Sequence, residues 1–413
     1  MTTTAVAPDG SYYLAGSFSQ LTDFDPGPAA DLRGPQGATD VYLVKFDTNG
    51  NYAWTLTWGG EGASALPIQL SVSGSAVVVA GIFTDTVDLD PGSGSLLKSS
   101  PVGGRSTFVV SLTVDGTLRW GGDLEGTSEC QAPSLAIDGF GDVYLAGYYT
   151  GLCDLDPGPG IVLPPAAIDT LTGILVKLDG DDGTYLWSRT FDGLAHPLVS
   201  RAAAVAPDGN VWVVGELGLE AVIASFTPAG VVRFDEVLPN GVDSDGGSSA
   251  RGVVAAADGS IYVGGDGSGV VDFDPGAGTA SHLLVGDDVV GATFVLKLAA
   301  NGEFQWVKTL PKLGFIALAA PPSGGVIIET VPHLPVSGTV AGIFLAKLES
   351  DSTPAWSLSF GGPLVAPDDI AVGLSSFFVS GSTDGVGPPN DFDPGPGVDP
   401  VPGGVTFLSR FAD

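Results

Sequence analysis

Five short stretches of this chain set two carboxylates two residues apart, just ahead of a proline and a glycine. They are TDFDPGPA from Thr22, VDLDPGSG from Val87, CDLDPGPG from Cys153, VDFDPGAG from Val271 and NDFDPGPG from Asn390. Alternate residues of an extended chain share a face, so Asp23 and Asp25 project together while Phe24 points the other way. The same holds for Asp88 with Asp90, Asp154 with Asp156, Asp272 with Asp274, and Asp391 with Asp393; Phe or Leu always stands between them. Two carboxylates this close repel unless something positive or hydrogen-bonding lies between them. Calcium suits such a place, since it takes about six to eight oxygens from carboxylates, backbone carbonyls and water in irregular geometry. The alternative is that the aspartates accept backbone N–H bonds and hold a loop in shape. The ten aspartates are therefore candidate calcium ligands or turn caps. Zinc is disfavoured, because neither His nor Cys accompanies the phrase, Cys153 excepted.

Other chemistry is sparse. A nucleophile needs a base within reach, and the three histidines, His196, His282 and His333, all fall in stretches that read as loops. Glycosidase carboxylates stand about 5 to 10 Å apart across a cleft, whereas these are neighbours on one extended segment. No glycine-rich phosphate loop follows a strand and opens a helix, so the 62 glycines read as turns. Cys130 and Cys153, the only cysteines, sit at the two ends of one predicted hairpin whose turn is Asp138 to Asp142. A disulfide between them implies an oxidising compartment, and two small buried thiols are the alternative.

The elements that hold these residues repeat. The phrases begin at Asp23, Asp88, Asp154, Asp272 and Asp391, separated by 65, 66, 118 and 119 residues. The two long intervals each contain a repeat that lacks the phrase, from Ala204 and from Pro321, which makes seven. Each repeat reads as two hairpins. AVAPDGSYYLAGSF carries an Asp-Gly turn, and after the phrase DVYLVKFDTNGNYAWTLTW carries an Asn-Gly turn. The fourth strand holds an aromatic residue at Trp54, Trp120, Trp187, Phe234, Trp306 and Trp356, expected to pack between sheets. A four-stranded unit cannot cover both of its own faces, so neighbouring units must do so. Radial stacking of such units is a β-propeller. The chain is thus expected to be all-β, a single seven-bladed propeller. Its approximate blades are 1–57, 58–122, 123–190, 191–240, 241–309, 310–359 and 360–413.

In its APDGxxYLAGxF, DFDPGxG and DxFLxKxDxxGxxxW pieces, the chain resembles the bacterial β-propeller repeat proteins often labelled SBBP, over essentially its whole length. That resemblance implies a propeller of extracellular or envelope proteins, usually without enzymatic activity. Repeats four and six depart from it by lacking the phrase, and the seventh ends at VTFLSRFAD without its tryptophan strand. The last blade is therefore expected to have three strands, with an edge open to strand addition by a following domain or partner chain. Pieces such as DTNGNYAW from Asp47 resemble the Asp-box turns of sialidase propellers, without their leading Ser or the Thr before Trp. The eight scattered arginines make no cluster for a sialic acid carboxylate.

A net charge of −32, from 47 acidic and 15 basic residues, argues against nucleic acid and anionic membrane surfaces as partners. No apolar run approaches the roughly 18 residues of a membrane helix, and MTTTAVAPDG lacks the features of a signal peptide. The loops joining second and third strands should crown one face of the blades. That crown is notched over blades four and six, where Glu216 to Glu220 and VPHLPVSG are short. This notch, with the three histidines on its face, is the candidate ligand groove. The leading expectation is a non-enzymatic, secreted or surface-displayed binding or scaffold module, with calcium as possible cofactor and a protein or glycan as partner. A carbohydrate-binding or carbohydrate-active protein using the notch, and a structural subunit assembling through the open edge, are the alternatives.

Overall fold

The computed structural model describes residues 2–412, apart from 197, 242–245, 285–290, 312, 333–341, 362–364, 384–389, 393–399 and 402–405. The chain divides into two compact units, Met1–Ala203 and Ala204–Asp413. Among the described residues every sheet is antiparallel and the only helical segment is the short 3-10 turn Phe191–Gly193.

Blade 1 consists of Thr2–Val6, Tyr12–Phe18, Asp40–Phe46 and Tyr52–Trp58, paired in chain order. Its first hairpin turns at PDG, where Gly10 takes φ +87°, a conformation that favours glycine. Asp9 fixes the turn by accepting the Ser11 N–H at 2.9 Å. Blades 2 to 6 repeat this four-stranded order. Among the described residues the blade 7 sheet has Val365–Val372, Ser376–Thr383 and Thr406–Ala412, so the expectation of three strands holds. The fold class is a seven-bladed β-propeller of four-stranded antiparallel blades with a three-stranded last blade.

The described cores lie between consecutive blades of one unit rather than within one blade, which is why second and third strands such as AVVVAGIFT are apolar on both faces. Tyr13, Leu43 and Trp58 of blade 1 meet Val77, Phe83 and Phe108 of blade 2. The next core joins blade 2 to blade 3, and in the second unit Tyr262 and Val295 of blade 5 meet Phe315 and Ile328 of blade 6. The fourth-strand aromatics are less central than expected: Trp120 is buried, while Trp54, Trp187, Phe234, Trp306 and Trp356 are half-buried. Their strand is the outermost, and the indole reaches the next blade's last turn. Trp120 Nε1 donates to the Gly180 carbonyl at 3.0 Å and Trp306 Nε1 to that of Ser350 at 2.9 Å.

One register position shows how closely blades approach. Opposite the third-strand residue two before the Lys, Ser or Arg that recurs from blade to blade, the second strand holds Ala15, Ala80, Ala146, Val214, Gly264 and Ser380. A Cβ on Gly264 would lie 2.2 Å from the Phe315 ring of the neighbouring blade. Blade 6 places Glu329 at this position.

Candidate functional site

The aspartate phrase opens a small hairpin between the second and third strands, and four copies are described. In each, the first aspartate caps two backbone N–H groups with one oxygen. Asp154 Oδ1 accepts from Asp156 at 3.1 Å and from Val162 at 2.8 Å. Asp23 does the same for Asp25 and Asp31, Asp88 for Asp90 and Leu96, and Asp272 for Asp274 and Ala280. The second aspartate makes an Asx turn: the Oδ1 atoms of Asp25, Asp90, Asp156 and Asp274 accept the N–H two residues on, at 2.7 to 2.9 Å. The final glycine of the phrase closes over this carboxylate. A Cβ on Gly94, Gly160 or Gly278 would stand 2.0 to 2.1 Å from the second aspartate's Oδ2. At Asp88 burial pushes the carboxyl up, but the Leu96 and Asp90 N–H groups outweigh it and hold it below the ordinary value. Asp391 and Asp393 lie outside the residues whose side chains are described.

The residue between the aspartates is the anchor, as its apolar type suggests. Leu89, Leu155 and Phe273 are fully buried, and Phe392 nearly so. Phe24 is half-buried against Phe18 and Tyr42. The residue before the phrase shares that buried side: Val87, Cys153 and Val271 are all fully buried.

The phrase also ties one blade to the one before it. The N–H of Asp88 donates to Gly59 O at the exit of blade 1, at 2.8 Å; that of Asp154 donates to Glu125 O at 2.7 Å. In the second unit Asp272 N–H donates to Pro239 O at 2.9 Å. Lys98 adds to the blade 2–3 junction, with Nζ 2.8 Å from Asp123 and 3.3 Å from the Pro157 carbonyl. Cys130 and Cys153 are joined in a disulfide, Cα atoms 5.7 Å apart, which locks the third phrase to the first strand of its own blade. Sequence alone gave no hint of the clasp between blades, because its acceptors are backbone carbonyls of unlike residues.

These hydrogen bonds fit turn capping. A calcium shell fits less well, since every described pair already gives one oxygen of each carboxylate to N–H groups. Among the described residues no three His, Cys, Asp or Glu side chains are grouped together.

The notch exists over blade 4. Its second and third strands, Val211–Leu217 and Glu220–Phe226, are joined by the two-residue turn Gly218-Leu219. Beside it, towards blade 5, lies a recess of about 300 Å³ lined by Glu216, Leu219, Ser249, Arg251, Asp266 and glycine backbone. Ser249 Oγ donates to Glu216 Oε2 at 2.6 Å. Asp266 Oδ1 accepts from Thr293 Oγ1 at 3.0 Å and the Phe315 N–H at 2.8 Å; its Oδ2 lies 3.5 Å from Arg251 Nε. Asp266 is thus fixed by its own blade and by blade 6, and orients a half-exposed guanidinium. The short loop of repeat four was the signal for this recess, but its polar residues come from strands of blades 4 and 5 and carry no motif.

Neither described histidine lines the recess. His282 lies in the short strand Ser281–Leu284 rather than a loop, exposed beside Phe273, and does not line it. His196 is half-buried just after the 3-10 turn, in the first unit. His333, with the blade 6 half of the expected groove, lies outside the described residues.

The fold and loops define the class of the molecule, a β-propeller with phrase-clasped blades. No protein-family model matches the chain, and no curated protein matches it. Solved structures similar to it include a Dos1 propeller, at TM-score 0.45 and 8% identity, covering 91% of this chain and 88% of that one. The apo prolyl oligopeptidase B of Galerina marginata gives TM-score 0.47 and 10% identity over 99% of this chain and 48% of that one, so this chain spans about half its length. A protein from Lactobacillus plantarum gives TM-score 0.34 and 11% identity over 83% and 95% of the two chains.

Proposed function

We propose that this propeller is a non-enzymatic binding or scaffold module, secreted or displayed at the cell surface. The observation that carries this reading is the use of the phrase. In four described copies its carboxylates fix their own loop, and in three of them its backbone also fastens a blade to the one before it, so the chain's most repeated chemistry serves rigid presentation of loops. The Cys130–Cys153 disulfide supports an oxidising compartment. These loops are held by their own hydrogen bonds, and no ion is needed to fix them.

The recess beside blade 4 favours a second reading, a saccharide ligand. Glu216, Asp266 and Arg251 offer acceptors and donors over glycine backbone, the pattern that hydroxyl groups need. A glycan array with wild-type protein and Arg251→Ala tests both. Bound saccharide, recovered uncleaved and held at least ten-fold more weakly by Arg251→Ala, is the expected result. Release of new reducing ends overturns the non-enzymatic reading, and an array without binding removes the saccharide. The edge strand Thr406–Ala412 has no fourth strand beside it among the described residues, and pairing with a partner's strand there is the route by which such a module would join an assembly.

A further inference from the structure

The phrase hairpins of the first unit carry a second repeated feature, an exposed leucine beside the first aspartate. Leu32 pairs across the hairpin with Asp23, and Leu97 with Asp88. In blade 3 the bond from Leu155 N–H to Val162 O matches those from Phe24 to Asp31 and from Leu89 to Leu96, so Leu163 stands opposite Asp154. Directly opposed residues of a strand pair share a face, so each leucine lies alongside a carboxylate. Leu32, Leu97 and Leu163 are 59%, 65% and 54% exposed. A single exposed leucine is ordinary, but the same one at the same hairpin position in three successive blades is a repeated apolar feature. Blade 5 has Ser281 at this place, so the pattern belongs to the first unit.

The charge around these leucines is one-sided. The three hairpins, residues 20–33, 85–105 and 150–169, contain nine aspartates against Arg33, Lys98 and Arg105. Two of those bases are engaged: Arg33 Nε lies 2.7 Å from Asp31 and Lys98 Nζ 2.8 Å from Asp123. Apolar side chains spaced among carboxylates complement a segment that is itself both apolar and basic.

We propose that the loop side of blades 1 to 3 docks a cationic amphipathic segment of a partner protein, whose apolar residues cover Leu32, Leu97 and Leu163. Its lysines or arginines meet the adjoining aspartates. This surface is separate from the recess of the second unit and stands or falls independently of a saccharide there.

The probe is a labelled synthetic amphipathic helix of leucine and lysine, titrated by fluorescence anisotropy, with its lysine-to-glutamate counterpart. The whole chain should bind the basic peptide and not the acidic one, more weakly as salt rises. The triple variant Leu32→Ser, Leu97→Ser, Leu163→Ser should bind at least ten-fold more weakly with an unchanged thermal midpoint, since all three leucines are exposed. Leu374→Ser, which removes an exposed leucine of the second unit, should bind as wild type does. Equal binding by wild type and the triple variant would mean general attraction to an acidic chain and would overturn the proposal. So would the absence of binding to wild type.

Discussion

Glu329→Gln should stabilise the protein at pH 8 and leave it nearly unchanged at pH 5. Glu329 is fully buried on the second strand of blade 6, at the register where other blades hold small or aliphatic residues, and neither carboxyl oxygen has a hydrogen-bond partner among the described residues. Burial first, then the charges of Asp369 and Asp368 across in blade 7, pushes its carboxyl well above the ordinary 4.5. The folded state therefore holds a proton that the unfolded chain releases. Its contribution is fully present below about 4.5 and is lost as pH rises towards the folded pKa, at about 1.4 kcal/mol per pH unit. Glutamine resembles the protonated acid and does not titrate, so it escapes that loss. Denaturant unfolding of both proteins at pH 5, 6.5 and 8 should show curves that diverge with pH; parallel curves would mean that Glu329 is charged and satisfied in the fold.

Removing the Cys130–Cys153 disulfide should cost about 3 kcal/mol, the scale expected for closing a loop of this size. Both half-cystines are fully buried. The bond ends on the residue just before the third phrase, where Gly126 also bridges to Cys153 and Asp154 fastens to Glu125. The double variant Cys130→Ser, Cys153→Ser should unfold at lower denaturant and ignore reductant, whereas wild type should fall towards the variant on reduction. A wild type unmoved by reductant would show that the two thiols merely pack.

Much of this was legible from the residues. Turn pairs such as Asp9-Gly10 and Asn49-Gly50, the alternation of YLAGSF and the phrase spacing sufficed for seven blades and a three-stranded last one. They are local signals, and each blade repeats them. The buried anchors Leu89, Leu155 and Phe273 followed from strand alternation alone. What escaped depends on contacts between blades. Glu329 in VIIETVP reads as a surface position, since nothing nearby in sequence reveals that both faces of that strand are covered. The clasp from Asp154 to Glu125 uses only backbone atoms. The recess of Glu216, Arg251 and Asp266 assembles from two blades without a shared motif.

The role of the phrase as a hydrogen-bonded clasp is tested most directly by the thermal midpoints of wild type, Asp154→Asn and Asp154→Ala. They are measured in chelator and then across a calcium titration, with magnesium as control. An asparagine Oδ1 still accepts the Asp156 and Val162 N–H groups, so Asp154→Asn should stay close to wild type. Asp154→Ala leaves both donors without their acceptor, and should lose about 1 to 3 kcal/mol at every calcium concentration. All three midpoints should be flat in calcium. A wild-type midpoint that climbs with calcium while that of Asp154→Asn does not would contradict the clasp and make the five phrases ion sites.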